Sequence, residues 1–258
     1  MAALAMLGEV EIVACALSAE AFARVVRGDV DGAVLPIENS LHGSVAEHYD
    51  LLLEQPVQIV REGQLRIRHN LIAMPGVKLA EIRRVISHPV ALSQCRRFVV
   101  EHPEMVAMPF YDTAGAVKHL MTEQLRDVAG IAPELAARVY GAELLVGGIE
   151  DHAANFTRFH LVVNGDAGEA VEGDDKMSLA FAIEHRPGTL VAALERLAEA
   201  GVDLTKIESR PVPGSPWEYV FYVDVRYDAS EKAVTAVAAL REHCRMVKVL
   251  GRYRAASA

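Results

Sequence analysis

Short apolar runs alternate with stretches of helical periodicity along this chain. Residues 10–16, 32–37, 83–87, 105–109, 127–132 and 159–163 are apolar runs that read as buried strands. Between them, residues 19–27, 44–54, 91–101, 113–124 and 133–140 place apolar side chains three and four apart, the spacing of one helix face. Such alternation predicts an α/β fold with largely parallel sheets. Ligands in such folds meet the carboxyl ends of strands and the N-termini of helices, so chemistry is sought in the loops that follow the strands. Residues 1–7, MAALAML, are helix-forming from the first position, with Gly8 as a C-cap.

The pattern changes across residues 165–175, GDAGEAVEGDD, an acidic stretch without apolar periodicity that reads as a linker. Beyond it, residues 177–184, 202–209, 217–226 and 246–250 read as strands and 188–200 and 230–243 as helices, the second capped by Ser230. The order βαββαβ is ferredoxin-like, and such a unit leaves one sheet face and its edges open to a second copy. The expected organisation is therefore 1–165, a linker over 166–175, and 176–258.

Charge follows this division. Residues 1–175 carry 14 basic and 25 acidic side chains, residues 176–258 carry 12 and 10, and the total is −9. An acidic chain disfavours non-specific binding to nucleic acid or an anionic membrane. Cys15, Cys95 and Cys244 are too few and too scattered for a disulfide framework or a zinc site. No apolar stretch approaches the roughly 20 residues of a membrane span, and the start lacks the basic region of a signal peptide. These readings lead to the expectation of a cytoplasmic protein with no metal and no organic cofactor.

Several polar clusters sit where strands end. Leu35-Pro36-Ile37-Glu38-Asn39-Ser40 lies between a strand and a helix, with Gly43 allowing a special backbone angle. Ser87-His88-Pro89 follows another strand, and the next helix carries Gln94 and Cys95. A Cys95/His88 nucleophilic pair lacks a third orienting group, so His88 reads as a loop residue and Cys95 as a small core residue. Asp112-Thr113-Ala114 opens a third helix with an N-cap. Thr157 and Arg158 bring a hydroxyl and a cation to the start of a strand. The set is mainly neutral and polar, which suits a small anionic molecule held by hydrogen bonds.

Together these segments resemble the prephenate dehydratase family with a C-terminal amino-acid-sensing ACT domain. The resemblance rests on PIENS at 36–40, SHPVALSQC at 87–95, DTAGA at 112–116, NFTRF at 155–159 and ESRP at 208–211, in order over nearly the whole chain. It implies a two-lobed, periplasmic-binding-protein-like catalytic part with crossovers near 72 and 157, followed by the ferredoxin-like ACT unit. It implies a lyase that converts prephenate to phenylpyruvate with loss of carbon dioxide and water, in phenylalanine biosynthesis. Thr157 matches the family's general acid. Asn39, Ser87 and Gln94 match its substrate-binding positions; Ser40, Thr113 and Arg158 are added as neighbours suited to the anionic groups. Glu38 would repel such a substrate unless protonated or turned away.

The resemblance also implies an allosteric phenylalanine site between paired ACT domains, and hence a homodimer or homotetramer. Gly188, Thr189, Leu190 and Val191 match one effector motif, with Thr189 standing where the family has Ala. Glu208, Ser209, Arg210 and Pro211 match the other. The family opens with a strand and a Gly-rich turn that this sequence lacks. The alternative activities are arogenate dehydration and non-catalytic amino-acid sensing.

Overall fold

The computed structural model describes residues 1–166, 172–212 and 218–256. Trp217, at the head of one expected strand, and residues 167–171 of the expected linker lie outside the described residues. The chain divides into two compact units. One is Arg66–Phe156, with Met1; the other joins Ala2–Leu65 to Thr157–Ala258.

The discontinuous unit begins with α1 (Ala2–Leu7) and α2 (Ser18–Arg27). Helix α2 buries Phe22 and Val25 and ends on Gly28, whose φ of 75° supplies the left-handed C-cap. Next come β1 (Ala33–Asn39), β2 (Gly43–Ser44), α3 (Ala46–Glu54) and β3 (Val57–Arg66).

The continuous unit follows with β4 (Asn70–Ala73), β5 (Arg84–Ser87), α4 (Pro89–Ser93), α5 (Arg96–Glu101), β6 (Val106–Pro109), α6 (Thr113–Thr122), β7 (Val128–Ala132), α7 (Glu134–Tyr140) and β8 (Glu143–Gly147). Its sheet runs β6-β5-β7-β4-β8. Strand β5 is parallel to β6 and β7, and β4 is antiparallel to β7 and β8. Leu71, Val85 and Ile131 are buried in this unit's core.

The chain returns through β9 (Phe156–Asn164), then β10 (Lys176–Ala182), α8 (Thr189–Glu199), β11 (Asp203–Pro211), β12 (Tyr219–Arg226), α9 (Ser230–His243) and β13 (Met246–Tyr253). These last six elements form the βαββαβ unit, with antiparallel order β11-β12-β10-β13. Its sheet continues through a parallel contact of β13 with β3 into β9, β1 and β2, making eight strands. The continuation requires a glycine: a Cβ at Gly251 would lie 2.2 Å from the Ile59 carbonyl oxygen.

Several expectations are corrected here. The sheets are mixed rather than largely parallel. Residues 10–16 form no strand; Val10, Ile12 and Val13 are exposed, and apolar β-formers become a strand only where a neighbour completes the ladder. The helix expected over 91–101 is two helices, because the Asp151 carboxylate accepts from the Arg96 and Arg97 backbone N–H groups at 3.0 Å each and caps α5 separately. Ser230 does not cap α9; Ala229 holds that position and the Ser230 hydroxyl donates to Asp174 at 2.7 Å. Among the described residues, the ferredoxin-like sheet is covered on both faces over β10, β12 and β13, while β11 keeps Leu204 and Ile207 exposed. Helices α8 and α9 cover one side around Leu179, Phe181 and Val223. Ala180, Val220, Tyr222 and Leu250 on the other pack with Phe22, Tyr49 and Leu52 of the same chain.

Candidate functional site

In the discontinuous unit, β1 and β9 run antiparallel with Asn39 opposite Thr157 and Glu38 opposite Arg158. Successive strand residues face opposite ways, so one face of this ladder carries the Asn39–Thr157 pair and the other carries the charges. The Asn39 amide nitrogen donates to Thr157 Oγ1 at 3.0 Å. Its oxygen accepts from the Leu41 and His42 backbone N–H groups at 3.0 and 3.1 Å, in the turn that holds exposed Ser40. The turn therefore fixes the amide, and the amide leaves the Thr157 proton available for donation. A hydroxyl that accepts from an amide is polarised toward releasing its own proton.

On the charged face, the Arg158 guanidinium meets Glu62 at 2.9 Å, Glu38 at 2.9 Å and Asp224 at 2.5 Å. Arg158 was expected to be a cation for anionic substrate groups; three carboxylates already engage it. Burial acts to lower its pKa, but Asp224 and Glu62 raise it overall, so it stays charged. Lys176 Nζ lies 2.6 Å from Glu62, and Lys206 Nζ lies 3.2 Å from Glu38. Burial would raise the Glu38, Glu62 and Asp224 carboxyls, yet the neighbouring cations hold all three below the usual range. Burial pushes His160, beside Glu62, below the ordinary imidazole value. Glu38 thus points away from Asn39 and Thr157, and this resolves the conflict its charge posed in the sequence.

In the continuous unit, Ser87 at the end of β5 is fully buried, and its hydroxyl donates to the Ile131 carbonyl at 2.6 Å. Its single proton is committed, which leaves only its lone pairs for a ligand. Gln94 closes α4, and its Oε1 meets His69 Nε2 at 2.6 Å and the Asn155 amide nitrogen at 3.1 Å. Sequence reasoning missed His69 altogether; a lone imidazole before an apolar strand was the signal available. His88 caps α4 by accepting from Val90 N–H, with Pro89 in the first turn. Burial, reinforced by Asp151 and Glu150, pushes the Cys95 thiol up to about 12, which leaves no thiolate for nucleophilic work. Asp112 caps α6 through Gly115 N–H at 2.8 Å, placing Thr113 at the first helical position.

The two segments expected to bind an effector have separate surroundings. Gly188, Thr189, Leu190 and Val191 line a pocket of about 240 Å³ with Arg186, Glu218 and Phe221. Gly188 has φ of 88° and forms the N-cap of α8. The Thr189 hydroxyl turns to the Glu184 and Arg186 carbonyls, each at 2.8 Å, so the added oxygen braces the pocket wall. Glu208 and Arg210 instead face the first part of the chain, where Glu208 accepts from the Ser44 hydroxyl at 2.8 Å and Arg210 pairs with Asp50. Ser209 and Pro211 are exposed on that strand. A larger pocket, about 680 Å³, lies beside α2 and β1 and is lined partly by Ser18 and His48. Among the described residues, no group of three or more His, Cys, Asp or Glu is placed to hold a metal ion.

The chain is an α/β protein with a C-terminal ferredoxin-like unit and neutral polar groups at its strand ends. The prephenate dehydratase family pattern matches residues 1–167. The chain belongs to the prephenate dehydratase family. It is 40% identical over 253 residues to arogenate dehydratase/prephenate dehydratase 2, chloroplastic, of Arabidopsis thaliana, covering 94% of this chain and 66% of that protein. It thus spans just under two thirds of that relative's length. Among solved structures, prephenate dehydratase from Arthrobacter aurescens in complex with L-Phe superposes with a TM-score of 0.84 at 34% identity, over 93% of this chain and 80% of that one. A protein described as a novel type of quorum-quenching acylase superposes with a TM-score of 0.90 at 33% identity, over 98% and 93%.

The expectation of a cytoplasmic protein is corrected by the plant comparison, because that relative is chloroplastic. Cellular address is carried by leader sequences rather than by the charge or cysteine content of a catalytic fold.

Proposed function

We propose that this chain is a prephenate dehydratase regulated by phenylalanine, with residues 1–165 catalytic, 166–175 a linker and 176–258 regulatory. The observation that carries the reading is the Asn39–Thr157 pair, which presents a polarised hydroxyl proton at the end of paired strands. In the reaction, the bond from the ring carbon to its carboxylate breaks and carbon dioxide leaves. The electron pair enters the ring, and the ring hydroxyl departs from the opposite position. Aromatisation supplies the driving force, so the protein must hold the dianion in geometry and protonate the leaving hydroxyl. Thr157 Oγ1 donates as the C–O bond breaks, with Asn39 stabilising the developing negative charge on that oxygen. Gln94 is carried over from the family resemblance as a substrate-binding residue and Thr113 is added as a candidate for the anionic groups, while Ser40 lies in the turn beside Asn39. Arg158 is reassigned to holding the strand pair from behind.

Thr157→Ala should lower kcat for phenylpyruvate formation by roughly 100-fold or more with the melting temperature little changed. A rate near wild type would remove Thr157 from the chemistry, and no turnover by the folded wild-type protein would sink the reading. The plant relative carries both substrate names, so kcat/KM for arogenate against prephenate measures the side-chain preference. The pocket at Gly188–Val191 pairs Arg186 and Glu218 with the Leu190 and Phe221 side chains, a set matched to a zwitterion with an aromatic side chain. Homodimers or tetramers would form through surfaces other than the covered sheet face.

A second reading is favoured by one pair of residues. Ser18 Oγ lies 2.6 Å from His48 Nε2, and His48 Nδ1 lies 2.6 Å from the Pro36 carbonyl, which fixes the imidazole to accept the serine proton. Both line the larger pocket with Val10, Ile12 and Leu35, which suits an apolar acyl chain. Ser18 would attack the carbonyl carbon, His48 would pass the proton to the leaving amine or alcohol, and water would release the acid from the acyl-serine. Hydrolysis of p-nitrophenyl acyl esters, abolished in Ser18→Ala, would support it; no hydrolysis by the wild-type protein would dismiss it.

A further inference from the structure

Strand β2 is too short to hold its place alone. It has two residues and meets β1 at two register pairs, Glu38 with Ser44 and Asn39 with Gly43. A two-stranded pairing without further packing is marginal in water. Yet this short ladder carries the Asn39 amide that donates to Thr157 Oγ1. Something outside the hairpin therefore holds it.

The holder is the far edge of the same sheet. In strand order β2 and β11 lie at opposite ends of the eight strands, yet side chains join them, so the sheet curls until its edges meet. Strand β11 turns Lys206, Glu208 and Arg210 to one face, and each is less exposed than its neighbours Ile207, Ser209 and Pro211. Arg210 pairs with Asp50 on α3. Glu208 Oε2 accepts from the Ser44 hydroxyl at 2.8 Å, and Lys206 Nζ donates to the same Ser44 oxygen at 2.8 Å. Lys206 Nζ also lies 3.2 Å from Glu38 Oε2. Because Glu38 and Ser44 are register partners, one ammonium bridges both strands of the hairpin, a single step from the Asn39–Gly43 pair.

The Ser44 proton goes to Glu208 and a lone pair receives Lys206, so losing any of the three breaks the chain of bonds. Hydrogen bonds to ionised partners are stronger than neutral ones, which suits them to anchoring so short a ladder. The hairpin passes the anchoring on. Val45 N–H donates to the Ile37 carbonyl at 2.8 Å, and Leu41 N–H donates to Asn39 Oδ1 at 3.0 Å.

We infer that Lys206 and Glu208 are positioning residues for the Asn39–Thr157 pair, pinning the hairpin over residues 38–45 through Ser44 and Glu38. Strand β11 thus supports the candidate catalytic pair of its own chain whether or not an effector is bound, a role separate from the effector contact expected of Glu208. The kinetic consequence rests on the dehydratase reading; the geometry does not. A misplacement of about 1 Å in a catalytic group can cost on the order of 100-fold in rate.

The kinetic test is run without phenylalanine, so that effector binding plays no part. Ser44→Ala and Glu208→Leu should each lower kcat for phenylpyruvate formation by at least about tenfold while KM stays within about threefold, because a misplaced proton donor costs turnover rather than affinity. The double variant should be no slower than the slower single one, as when two residues act through one chain of contacts. Glu208→Gln keeps an acceptor for the Ser44 hydroxyl and should retain most of the rate. Wild-type rates in both single variants, a change confined to KM, multiplicative losses in the double variant, or a Glu208→Gln variant as slow as Glu208→Leu would each overturn the inference. Hydrogen exchange reads the geometry without turnover. Corrected for intrinsic rates, the Leu41 and Val45 amides should exchange at least about tenfold faster in Ser44→Ala, with β5 and β7 amides unchanged. Equal exchange at Leu41 and Val45 in variant and wild type would overturn the inference even where the rates fall. Faster exchange in a protein whose wild type does not turn over prephenate would leave the pinning in place and sink the dehydratase reading instead. Should Glu208→Leu fail to fold, Lys206→Met takes its place in the cycle.

Discussion

Behind Asn39 and Thr157 lie Glu38, Glu62 and Asp224, held by Arg158, Lys176 and Lys206. Behind Gln94 lie a single imidazole and an amide. The first backing draws its charges from β10, β11 and β12 of the ferredoxin-like unit as well as from β1, β3 and β9. The second is neutral and local to the continuous unit. Charged layers of this kind tie distant strands together but depend on every partner being present and ionised. Neutral pairs bind less strongly and respond less to pH or salt. The strands of the Asn39–Thr157 ladder are therefore tied to the C-terminal unit through Asp224 and Lys206.

The largest expected effect breaks that connection. Arg158→Met would leave Glu62 and Asp224 buried without their shared cation, with a cost of about 3–5 kcal/mol. Urea denaturation should show a correspondingly lower midpoint with the slope nearly unchanged. His69→Leu in the neutral backing should cost less than half as much. Comparable losses in the two variants would mean that the difference in chemistry does not translate into a difference in stability.

Much of this arrangement was legible in the sequence, and the parts that were not share a cause. Periodicity placed α2, α6, α9, β1, β5 and β7, because each has an apolar face or run of its own. Strands β4 and β8 were missed: Asn70–Ala73 and Glu143–Gly147 are short, and their pairing depends on partners far along the chain. Residues 10–16 erred the other way, with the composition of a strand but no ladder. The strand-end motifs singled out Asn39, Gln94 and Thr157 as candidates, since chemistry-bearing residues concentrate where strands emerge. They could not show that Arg158 faces away from Thr157. That follows from the β1–β9 register, which opposes Glu38 to Arg158 one residue before Asn39 opposes Thr157. They could not show His69 either, because its contact with Gln94 spans 25 residues of chain.

Acid separates the two backings without a mutation. Glu62 and Asp224 are held below the ordinary carboxylate range, so the unfolded chain binds more protons than the folded one at mildly acidic pH. Their stabilisation is complete above the unfolded values of about 4 and is lost as pH falls through the lowered folded values. His160, lowered by burial, adds a loss of the same sign that begins below about pH 6.5. Hydrogen exchange, corrected for intrinsic rates, should show β9 and β12 amides losing protection as pH falls below about 6.5 through His160, and losing more below about pH 4 as Glu62 and Asp224 protonate. Amides of β5 and β7 should keep theirs, since the nearby Arg84–Asp127 pair is solvent-exposed and contributes little. Parallel loss in both sheets would show that the chain unfolds as one unit under acid.

The smallest effect concerns Ser87, whose hydroxyl donates to Ile131 where the β5–β7 ladder has just ended. The last backbone register pair is Ile86 with Gly130, and the hydroxyl extends the pairing by one carbonyl through the side chain. Ser87→Ala removes that donor from a fully buried position and should cost about 1 kcal/mol, read as a shift in the urea midpoint. The kinetic readout distinguishes two roles. If Ser87 serves the strand end, KM changes by less than threefold or so, well short of a lost substrate hydrogen bond. If its lone pairs receive a substrate hydroxyl, KM rises while stability falls by the same 1 kcal/mol. The committed proton favours the first outcome. A carboxylate needs a donor, and Ser87 has already given its only proton to Ile131.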